Sequence, residues 1–182
     1  MDISLLRKNL QIRSWRLSHL YHIKDVHGNR IRFEPNWAQK VILEDPHPFK
    51  IVLKCRQIGM TTAFCVDELD RILFTKRDQP QQVGIIAQTR DDAKDIFKDK
   101  LKFSFDNLHP YVRAYYKLVG DSADELAISN GSTIRVGTSL RSSTLQRLHV
   151  TEFGKICAKY PEKAREIITG SLNTVHTGQE IV

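Results

Sequence analysis

Apolar residues along the chain fall into short runs and into longer segments with helical spacing, and the two kinds alternate. The short runs, which have the length of strands, are 49–53, 83–87 and 148–150. The segments with helical spacing are 61–74, 91–105 and 161–168. Strands that alternate with helices are typical of an α/β fold with a mostly parallel sheet. We therefore expect helices on the faces of this sheet and ligands at the carboxyl ends of its strands.

Two turn sequences predict antiparallel hairpins outside this alternation. His27-Gly28-Asn29 lies in the middle of residues 21–33, between two runs that contain apolar residues. Asn130-Gly131 separates residues 126–128 from residues 133–136. The Asn-Gly pair tolerates the positive φ that a tight hairpin turn requires.

Two further helices are predicted before the first strand. One begins at Pro35-Asn36 and ends at Leu43, ahead of two prolines. The other lies in the first 24 residues, where leucines at roughly helical spacing are mixed with basic residues. The basic residues indicate either an arm that contacts a phosphate backbone or an amphipathic helix whose charged face is solvated. We favour the amphipathic helix, since the polar faces of helices are routinely charged.

The composition is that of a globular domain with a surplus of positive charge. The 182 residues contain 28 Lys and Arg against 21 Asp and Glu, a net charge of +7, which indicates an anionic partner such as nucleic acid. No run of about 18 apolar residues predicts a transmembrane helix. The three cysteines include no CxxC pair, which argues against disulfides and structural zinc and favours a reduced, intracellular setting.

The first short apolar run, the loop after it and the next helix have the order of a phosphate-binding loop. Such a loop has the pattern GxxxxGK[ST], in which backbone N–H groups wrap the phosphates and the hydroxyl holds Mg²⁺. Lys54 occupies the first glycine position, Gly59 the second and Thr61 the hydroxyl position. Met60 stands where the lysine is usual, but Lys54 or Arg56 can supply the positive charge. The alternative is an ordinary strand-to-helix turn with a threonine N-cap.

An acidic motif follows the apolar run 148–150. Thr151 and Glu152 stand there, where many P-loop ATPases have Asp-Glu. A threonine hydroxyl can still accept or relay a hydrogen bond from a water on Mg²⁺, and the glutamate would act as the general base or orient the attacking water. The alternative is a strand that simply ends in a solvated glutamate.

Two weaker patterns complete the candidates. The amide of Gln39 can donate to and accept from the edge of an adenine. Trp37 can cover the ring, although core packing is the favoured interpretation for this tryptophan. Thr169-Gly170-Ser171 follows a predicted helix, and its hydroxyls could sense a γ-phosphate or form a plain turn.

Taken together and in this order, the four segments resemble the ATPase domain of phage terminase large subunits, the motors that package viral DNA. The loop resembles that family's unusual Walker A motif, which often lacks the standard lysine. Thr151-Glu152 resembles the Walker B motif of some branches, and residues 84–89 resemble the strand after the P-loop helix. Of the two weaker patterns, Trp37 and Gln39 resemble the family's adenine-binding segment, and Thr169-Gly170-Ser171 resembles its coupling motif. The resemblance covers residues 30–182, and the order and spacing of the motifs agree throughout.

The resemblance implies a RecA/ASCE-like P-loop NTPase fold and ATP hydrolysis with Mg²⁺, coupled to translocation of double-stranded DNA into a procapsid. It implies that Glu152 and Arg56 are catalytic. Thr61, Thr151 and Glu152 would hold the metal, partly through water, and Thr169, Gly170 and Ser171 would couple hydrolysis to motion. The implied ATP-binding residues are Gln39, Trp37, Lys54, Cys55, Arg56, Gln57, Ile58, Gly59, Met60, Thr61 and Thr62.

The same resemblance implies partners and a location. The partners are double-stranded DNA, a terminase small subunit, a portal protein and further copies in a ring, in the host cytoplasm and without a membrane. Residues 1–30 are expected to form a basic helix and a hairpin strand, and residues 31–182 the ATPase domain. The family's nuclease domain has no counterpart here, and Glu180-Ile181-Val182 has the pattern of an opening strand. We therefore expect an incomplete sheet and a chain that is a fragment of a longer protein or a decayed prophage gene.

Two other functions remain open at this point. The first is a catalytically inactive remnant that binds nucleotide or DNA, which Met60 and Thr151 favour because they replace the usual lysine and aspartate. The second is a helicase-type ATPase, which also has a glutamine before its P-loop. Helicases of that kind normally carry Asp-Glu and a second RecA-like domain, so the sequence favours this alternative least.

Overall fold

The structure is a computed structural model that describes residues 3–55, 57–76, 78–120, 122–140 and 144–182. The α-helices in these ranges are α1 (Ile3–Asn9), α2 (Arg13–His19), α3 (Trp37–Glu44), α4 (Met60–Phe74), α5 (Arg90–Asp95), α6 (Phe103–Asp106), α7 (Pro110–Tyr115), α8 (Phe153–Lys159) and α9 (Pro161–Glu166). A π-helical segment (Ile96–Lys102) joins α5 to α6, and a second one (Ile167–Ser171) with a 3₁₀ turn (Leu172–Thr174) follows α9. The strands are β1 (His22–Lys24), β2 (Arg30–Arg32), β3 (Gln82–Ile86), β4 (Glu125–Ala127), β5 (Thr133–Gly137), β6 (Leu145–Val150) and β7 (Val175–Ile181). No helix in the described ranges is long and apolar enough to cross a membrane.

The main sheet has the strand order β4-β5-β3-β6-β7, and β1 pairs with β2 in a separate antiparallel hairpin. The neighbours β5–β3, β3–β6 and β6–β7 are parallel, whereas β4 runs antiparallel to β5. These pairings confirm the mostly parallel α/β sheet and both hairpins that the sequence predicts. Because the parallel strands point the same way, the carboxyl ends of β3, β6 and β7 meet at one edge of the sheet.

The buried strand predicted over residues 49–53 is wrong. Phe49 makes a single parallel bridge with Ile181 of β7, and the Lys50 N–H donates to the Ile181 carbonyl at 2.9 Å. The residues after Lys50 extend past the end of β7, so no strand of the described residues lies beside them. Ile51 and Leu53 are accordingly 93% and 95% exposed. The apolar run therefore leads the chain to the edge of the sheet without entering its core.

Helical layers cover both faces of the sheet. On one face Ile85 of β3 packs in a core with Leu69 of α4. On the other face Ile86 of β3 and Leu148 of β6 pack with Ile156 of α8. The central strands are thus buried on both sides, which is the usual situation of parallel strands.

Helix α2 packs onto α4 through ion pairs with two buried carboxylates. The Arg16 guanidinium donates to both carboxylate oxygens of Asp70, each at 2.7 Å, and Arg16 is only 8% exposed. Arg13 of the same helix pairs with Asp67. The prediction that this segment is helical is confirmed. The prediction that its charged face is solvated is wrong, because two of its arginines neutralise carboxylates of α4. The domain boundary at residue 30 stays a prediction.

A second ionic cluster joins α4, β6 and β7. Arg147 of β6 is 2% exposed. Its guanidinium lies 3.0 Å from Asp67, 2.6 Å from Glu68 and 2.7 Å from Glu180. Burial raises the pKa of Glu68 to about 7, and the Oε2 atom of this residue has no hydrogen-bond partner. The cluster fixes α4, and with it the start of that helix, against the middle of the sheet.

Candidate active site

A cavity of about 580 Å³ opens at the carboxyl edge of the sheet. Lys54 lines it from the loop before α4, and Thr61 from the first turn of that helix. Glu152 and Phe153 line it from the opposite side, where β6 ends and α8 begins. The predicted phosphate loop and the predicted acidic residue therefore meet in one cleft.

The backbone of the loop is arranged to receive an anion. Gly59, the N-cap of α4, has a φ of 72° and lies in the left-handed region that favours glycine. From Lys54 to Thr62, no backbone N–H of a described residue donates to an acceptor in the described part of the chain. The free N–H groups at a helix start and the positive end of the helix dipole attract phosphate groups. This loop, which leads into the 15-residue helix α4, therefore suits the predicted contact with phosphate, which stays a prediction.

Gln39 of α3 holds the end of the loop in place. Its side-chain N–H groups donate to the carbonyls of Ile58 at 3.0 Å and Gly59 at 3.1 Å, and its oxygen accepts from the Asn36 N–H at 3.0 Å. Both N–H groups of the side-chain amide are thus used inside the protein. The contact of Gln39 with adenine stays a prediction, and it requires these hydrogen bonds to break. Trp37 is 80% exposed, so the prediction that it packs in the core is wrong. Its stacking on a base stays a prediction.

Glu152 lies between two lysines. Its Oε1 is 3.4 Å from Lys54 Nζ, and its Oε2 is 2.8 Å from Lys155 Nζ. The hydrogen bond from Lys155, together with the positive charge of Lys54, lowers the pKa of Glu152, so the carboxylate is ionised at neutral pH. The residue also has a φ of 54°, a costly backbone conformation for a residue with a side chain. Strain of this kind is concentrated at functional sites.

The start of α4 presents one free hydroxyl to the cavity. Thr61 lines the cavity, and its hydroxyl has no hydrogen-bond partner among the described residues. The neighbouring Thr62 hydroxyl accepts a hydrogen bond from Lys100 Nζ at 3.2 Å. Met60, at the usual lysine position, is only 3% exposed. The predicted metal-binding hydroxyl is therefore available, whereas positive charge must come from elsewhere in the loop.

The middle of the loop is open to solvent. Cys55 and Gln57 are exposed, and Ile58 is half-buried against the core. Gln57 has a φ of 66°, in the left-handed region that residues with a side chain seldom adopt. Arg56 lies outside the described residues, and its catalytic and phosphate-binding roles stay predictions.

Thr151 joins the ends of two strands. It is 5% exposed, and its hydroxyl donates to the Ile86 carbonyl of β3 at 3.2 Å. The backbone N–H of Thr151 donates to the same carbonyl at 2.9 Å. The hydroxyl hydrogen is thus already used in a hydrogen bond. The hydroxyl oxygen can still accept a hydrogen bond from a water bound to a metal. The metal role of Thr151 stays a prediction.

His149 lines the cavity too, although no sequence motif predicts a role for it. It is 4% exposed and packs on Phe64 of α4, with ring centroids 4.9 Å apart. Burial and the nearby charge of Arg147 lower the pKa of His149 to about 3, so the ring is neutral. The available signal was its position two residues before Thr151, because residues two apart on a strand share a face.

The predicted coupling residues lie beside the cavity. Thr169-Gly170-Ser171 belongs to the π-helical segment after α9, so the alternative of a plain turn is wrong. Ile167 and Leu172, on either side of this triplet, line the cavity. Ser171 is fully buried, and its hydroxyl has no partner. The segment is thus placed to respond to the contents of the cavity, and coupling stays a prediction.

The groups at this site fit a magnesium nucleotide better than a resident metal ion. Among the described residues, no group of three or more His, Cys, Asp or Glu side chains can hold a metal. Mg²⁺ in nucleotide sites is normally held by one or two oxygen ligands of the protein together with the phosphates. The free Thr61 hydroxyl and the Glu152 carboxylate supply such oxygens, and the unpaired N–H groups of the loop suit the phosphates.

Solved structures of phage large terminases resemble this fold. The large terminase ATPase domain of Thermus phage P74-26 has a TM-score of 0.55 and 19% identity, over 76% of this chain and 62% of that one. The large terminase of bacteriophage HK97 has a TM-score of 0.66 and 13% identity, over 96% of this chain and 36% of that one. The chain has the fold of a phage large-terminase ATPase domain.

That fold is the mostly parallel α/β sheet flanked by helices that the sequence predicts. A mutant of the Thermus phage domain gives a TM-score of 0.54 at 16% identity, over 82% of this chain and 64% of that one. The chain thus spans less than two thirds of each terminase structure. No protein-family model and no curated protein matches its sequence. The likeness to terminases is therefore one of fold.

Proposed function

We propose that the chain is the ATPase motor domain of a phage or prophage terminase large subunit. In this role it hydrolyses ATP with Mg²⁺ and thereby moves double-stranded DNA into a procapsid. The observation that carries the proposal is that Lys54 and Thr61, at the two ends of the loop, line one cavity with Glu152. The backbone N–H groups of the described loop residues have no acceptor in the described part of the chain. A phosphate cradle and a group that positions or activates water are the parts that phosphoryl transfer to water requires.

Lys54 connects binding to catalysis in this proposal. In the structure its Nζ is 3.4 Å from Glu152 Oε1. A triphosphate in the loop would compete with Glu152 for this ammonium group, because both are anions. If the Lys54 ammonium group moved to the phosphates, Glu152 would keep only Lys155 as a positively charged neighbour. The pKa of Glu152 would then rise toward its ordinary value. The carboxylate would then be a stronger base at the moment when the substrate is in place.

The remaining predicted roles fit around these two residues. Mg²⁺, when bound, neutralises charge that develops on the phosphates. The Thr61 hydroxyl and the Thr151 oxygen would orient it, and Arg56 would contribute positive charge. Gln39 and Trp37 would contact the adenine, and residues 169–171 would transmit the loss of the γ-phosphate.

The wider assembly belongs to the same proposal. As part of a packaging motor, the chain would contact double-stranded DNA, a terminase small subunit, a portal protein and further copies in a ring. This would take place in the host cytoplasm. The net charge of +7 supports an anionic partner, since positive proteins attract the phosphate backbone.

The direct test compares ATP turnover and nucleotide binding in Glu152→Gln. Loss of the base should reduce turnover by roughly 10²- to 10⁴-fold and leave ADP affinity nearly unchanged, because the phosphate cradle is the loop. Glu162→Gln is the matched control, because Glu162 lies exposed on α9, away from the cavity. Turnover that survives in Glu152→Gln would contradict the proposed role of this residue.

The inactive remnant is the second candidate function. It is favoured by the buried Met60 at the lysine position and by the uncharged Thr151 at the aspartate position. A remnant would bind nucleotide in the same cavity without turnover in the parent chain. Measurable, magnesium-dependent ATP turnover in the parent chain would exclude it.

A further inference from the structure

His149 is a buried polar side chain whose hydrogen-bonding capacity the protein does not use. Neither ring nitrogen has a partner among the described residues, and Nδ1 is fully enclosed. Because His149 lines the cavity, Nε2 is the nitrogen that remains for a group in the cavity. A buried polar atom without a partner destabilises the folded state, because it has lost its hydrogen bonds to water. Such atoms are rare in native proteins, and each one calls for an explanation such as a water, an ion or a ligand.

His149 lies at the wall of the candidate site. It lines the same cavity as Thr61, whose hydroxyl is also without a partner among the described residues, and Glu152. It precedes Thr151 by two residues, so the two side chains project to the same side of the strand. Thr151 carries no charge and donates its hydroxyl hydrogen to Ile86. The side of the cavity where a P-loop ATPase usually has an aspartate therefore offers a neutral imidazole instead.

We propose that His149 is a positioning residue of the nucleotide site, whose imidazole accepts a hydrogen bond from the hydrated Mg²⁺ that accompanies the nucleotide. It thereby supplies the acceptor that the replaced aspartate would supply. A neutral imidazole has one acceptor nitrogen, which suits this role. The inference rests on the proposed function, because it needs a magnesium nucleotide in the cavity.

The test is a calorimetric titration of Mg²⁺ into the complex of the full chain with ADP. His149→Phe keeps an aromatic ring against Phe64 and removes both nitrogens. We expect the apparent Kd for Mg²⁺ to rise roughly tenfold or more, the usual effect of removing an outer partner of a metal. ADP affinity without Mg²⁺ should not change. His149→Gln, which restores an acceptor, should recover most of the Mg²⁺ affinity.

His19→Phe is the matched control. The His19 ring stacks on Trp15, with centroids 5.0 Å apart, and lies outside the cavity, so the same substitution there should leave Mg²⁺ affinity unchanged. Should His149→Phe fail to fold in a thermal melt, His149→Leu takes its place with the same expected result.

The outcomes separate the inference from the proposed function. Unchanged Mg²⁺ affinity in His149→Phe would overturn the inference and leave the ATPase proposal standing, because the parent chain would still bind the magnesium nucleotide. Weaker ADP binding without Mg²⁺ in this variant would also overturn it, since that would indicate a direct contact with the nucleotide. A parent chain that binds no ADP would overturn both.

Discussion

Among single residues, Gly59 shows most directly how the phosphate loop is held. A Cβ atom at this position would lie 2.9 Å from the Gln39 Nε2 atom, which donates to the carbonyls of Ile58 and Gly59. Gly59→Ala should therefore lower the free energy of unfolding by about 1–3 kcal/mol, from the positive φ and the displaced amide together. It should also weaken ADP binding, measured by calorimetry.

Gly28→Ala separates the effect of the positive φ from the effect of the displaced Gln39 amide. Gly28 has a φ of +80°, close to the +72° of Gly59, but a Cβ there would meet nothing within 4 Å. This control should lose only the backbone component, about 1–2 kcal/mol, and keep its ADP affinity. Equal losses of stability and unchanged ADP binding in both variants would show that the contact with Gln39 does not matter.

Glu68 makes stability depend on pH. Burial raises its pKa from the ordinary 4.5 to about 7, so between these values the folded chain keeps a proton that the unfolded chain releases. Its contribution to the free energy of unfolding is therefore complete below 4.5 and is lost as the pH rises to 7. From pH 5 to pH 8, the stability of Glu68→Gln relative to the parent chain should rise by about 2–3 kcal/mol.

Urea unfolding at several pH values measures this difference. Glu162→Gln, an exposed change on α9, should show no comparable trend. A difference between Glu68→Gln and the parent chain that stays constant with pH would mean that Glu68 is already ionised in the folded chain at acidic pH.

The site was predictable as a set of positions but not as a set of contacts. The order of motifs predicts that the loop and Glu152 meet, and they do, with Lys54 as the link. The engagement of Gln39 with the loop, the left-handed backbone of Glu152 and the unused nitrogens of His149 depend on how α3, α4 and β6 pack together. Sequence spacing within one element carries no information about such contacts.

At the scale of elements, one buried ion pair attaches the N-terminal helix α2 to α4. Asp70 accepts two hydrogen bonds from Arg16 and one from the Tyr21 hydroxyl, each at 2.7 Å. Asp70→Asn would leave the Arg16 charge buried without its partner. We expect a loss of about 3–5 kcal/mol in the free energy of unfolding, measured by urea denaturation.

Asp99→Asn provides the matched control. Asp99 pairs with Lys24 at 2.5 Å, but both side chains are more than a third exposed, 42% and 36%. Such a surface pair contributes about 0–1 kcal/mol. Similar losses in the two variants would contradict the role of Asp70 as the buried attachment point of α2.

Helices and hairpins followed from local pattern, whereas one strand did not. The Asn36 cap and the segments with helical spacing appear in the structure within a few residues of their predicted bounds. The apolar run 49–53 has the composition of a buried strand, yet Ile51 lies beyond the last residue of β7 and is exposed. Strand burial depends on a neighbour that is distant in sequence, and local composition cannot supply that neighbour.

For the molecule as a whole, the surplus of positive charge predicts salt-sensitive binding to DNA. Arg13, Arg16 and Arg147 are engaged with carboxylates of α4, so we expect the proposed contacts with DNA to use exposed lysines and arginines elsewhere. Affinity for duplex DNA, measured by fluorescence anisotropy, should fall linearly on a log–log plot with salt, with a slope of about −0.9 per phosphate contacted. Two duplexes of unrelated sequence should bind alike, and an affinity independent of salt would contradict this prediction.

Amide mapping by NMR tests the proposal that the loop amides and Glu152 form one nucleotide site. The ¹⁵N-labelled chain would be titrated with ADP and Mg²⁺. The largest shifts should fall on the amides of residues 54–62, with a second group around Glu152 and the beginning of α8. Saturating ADP that leaves these amides unmoved, or that shifts a different surface instead, would contradict the account.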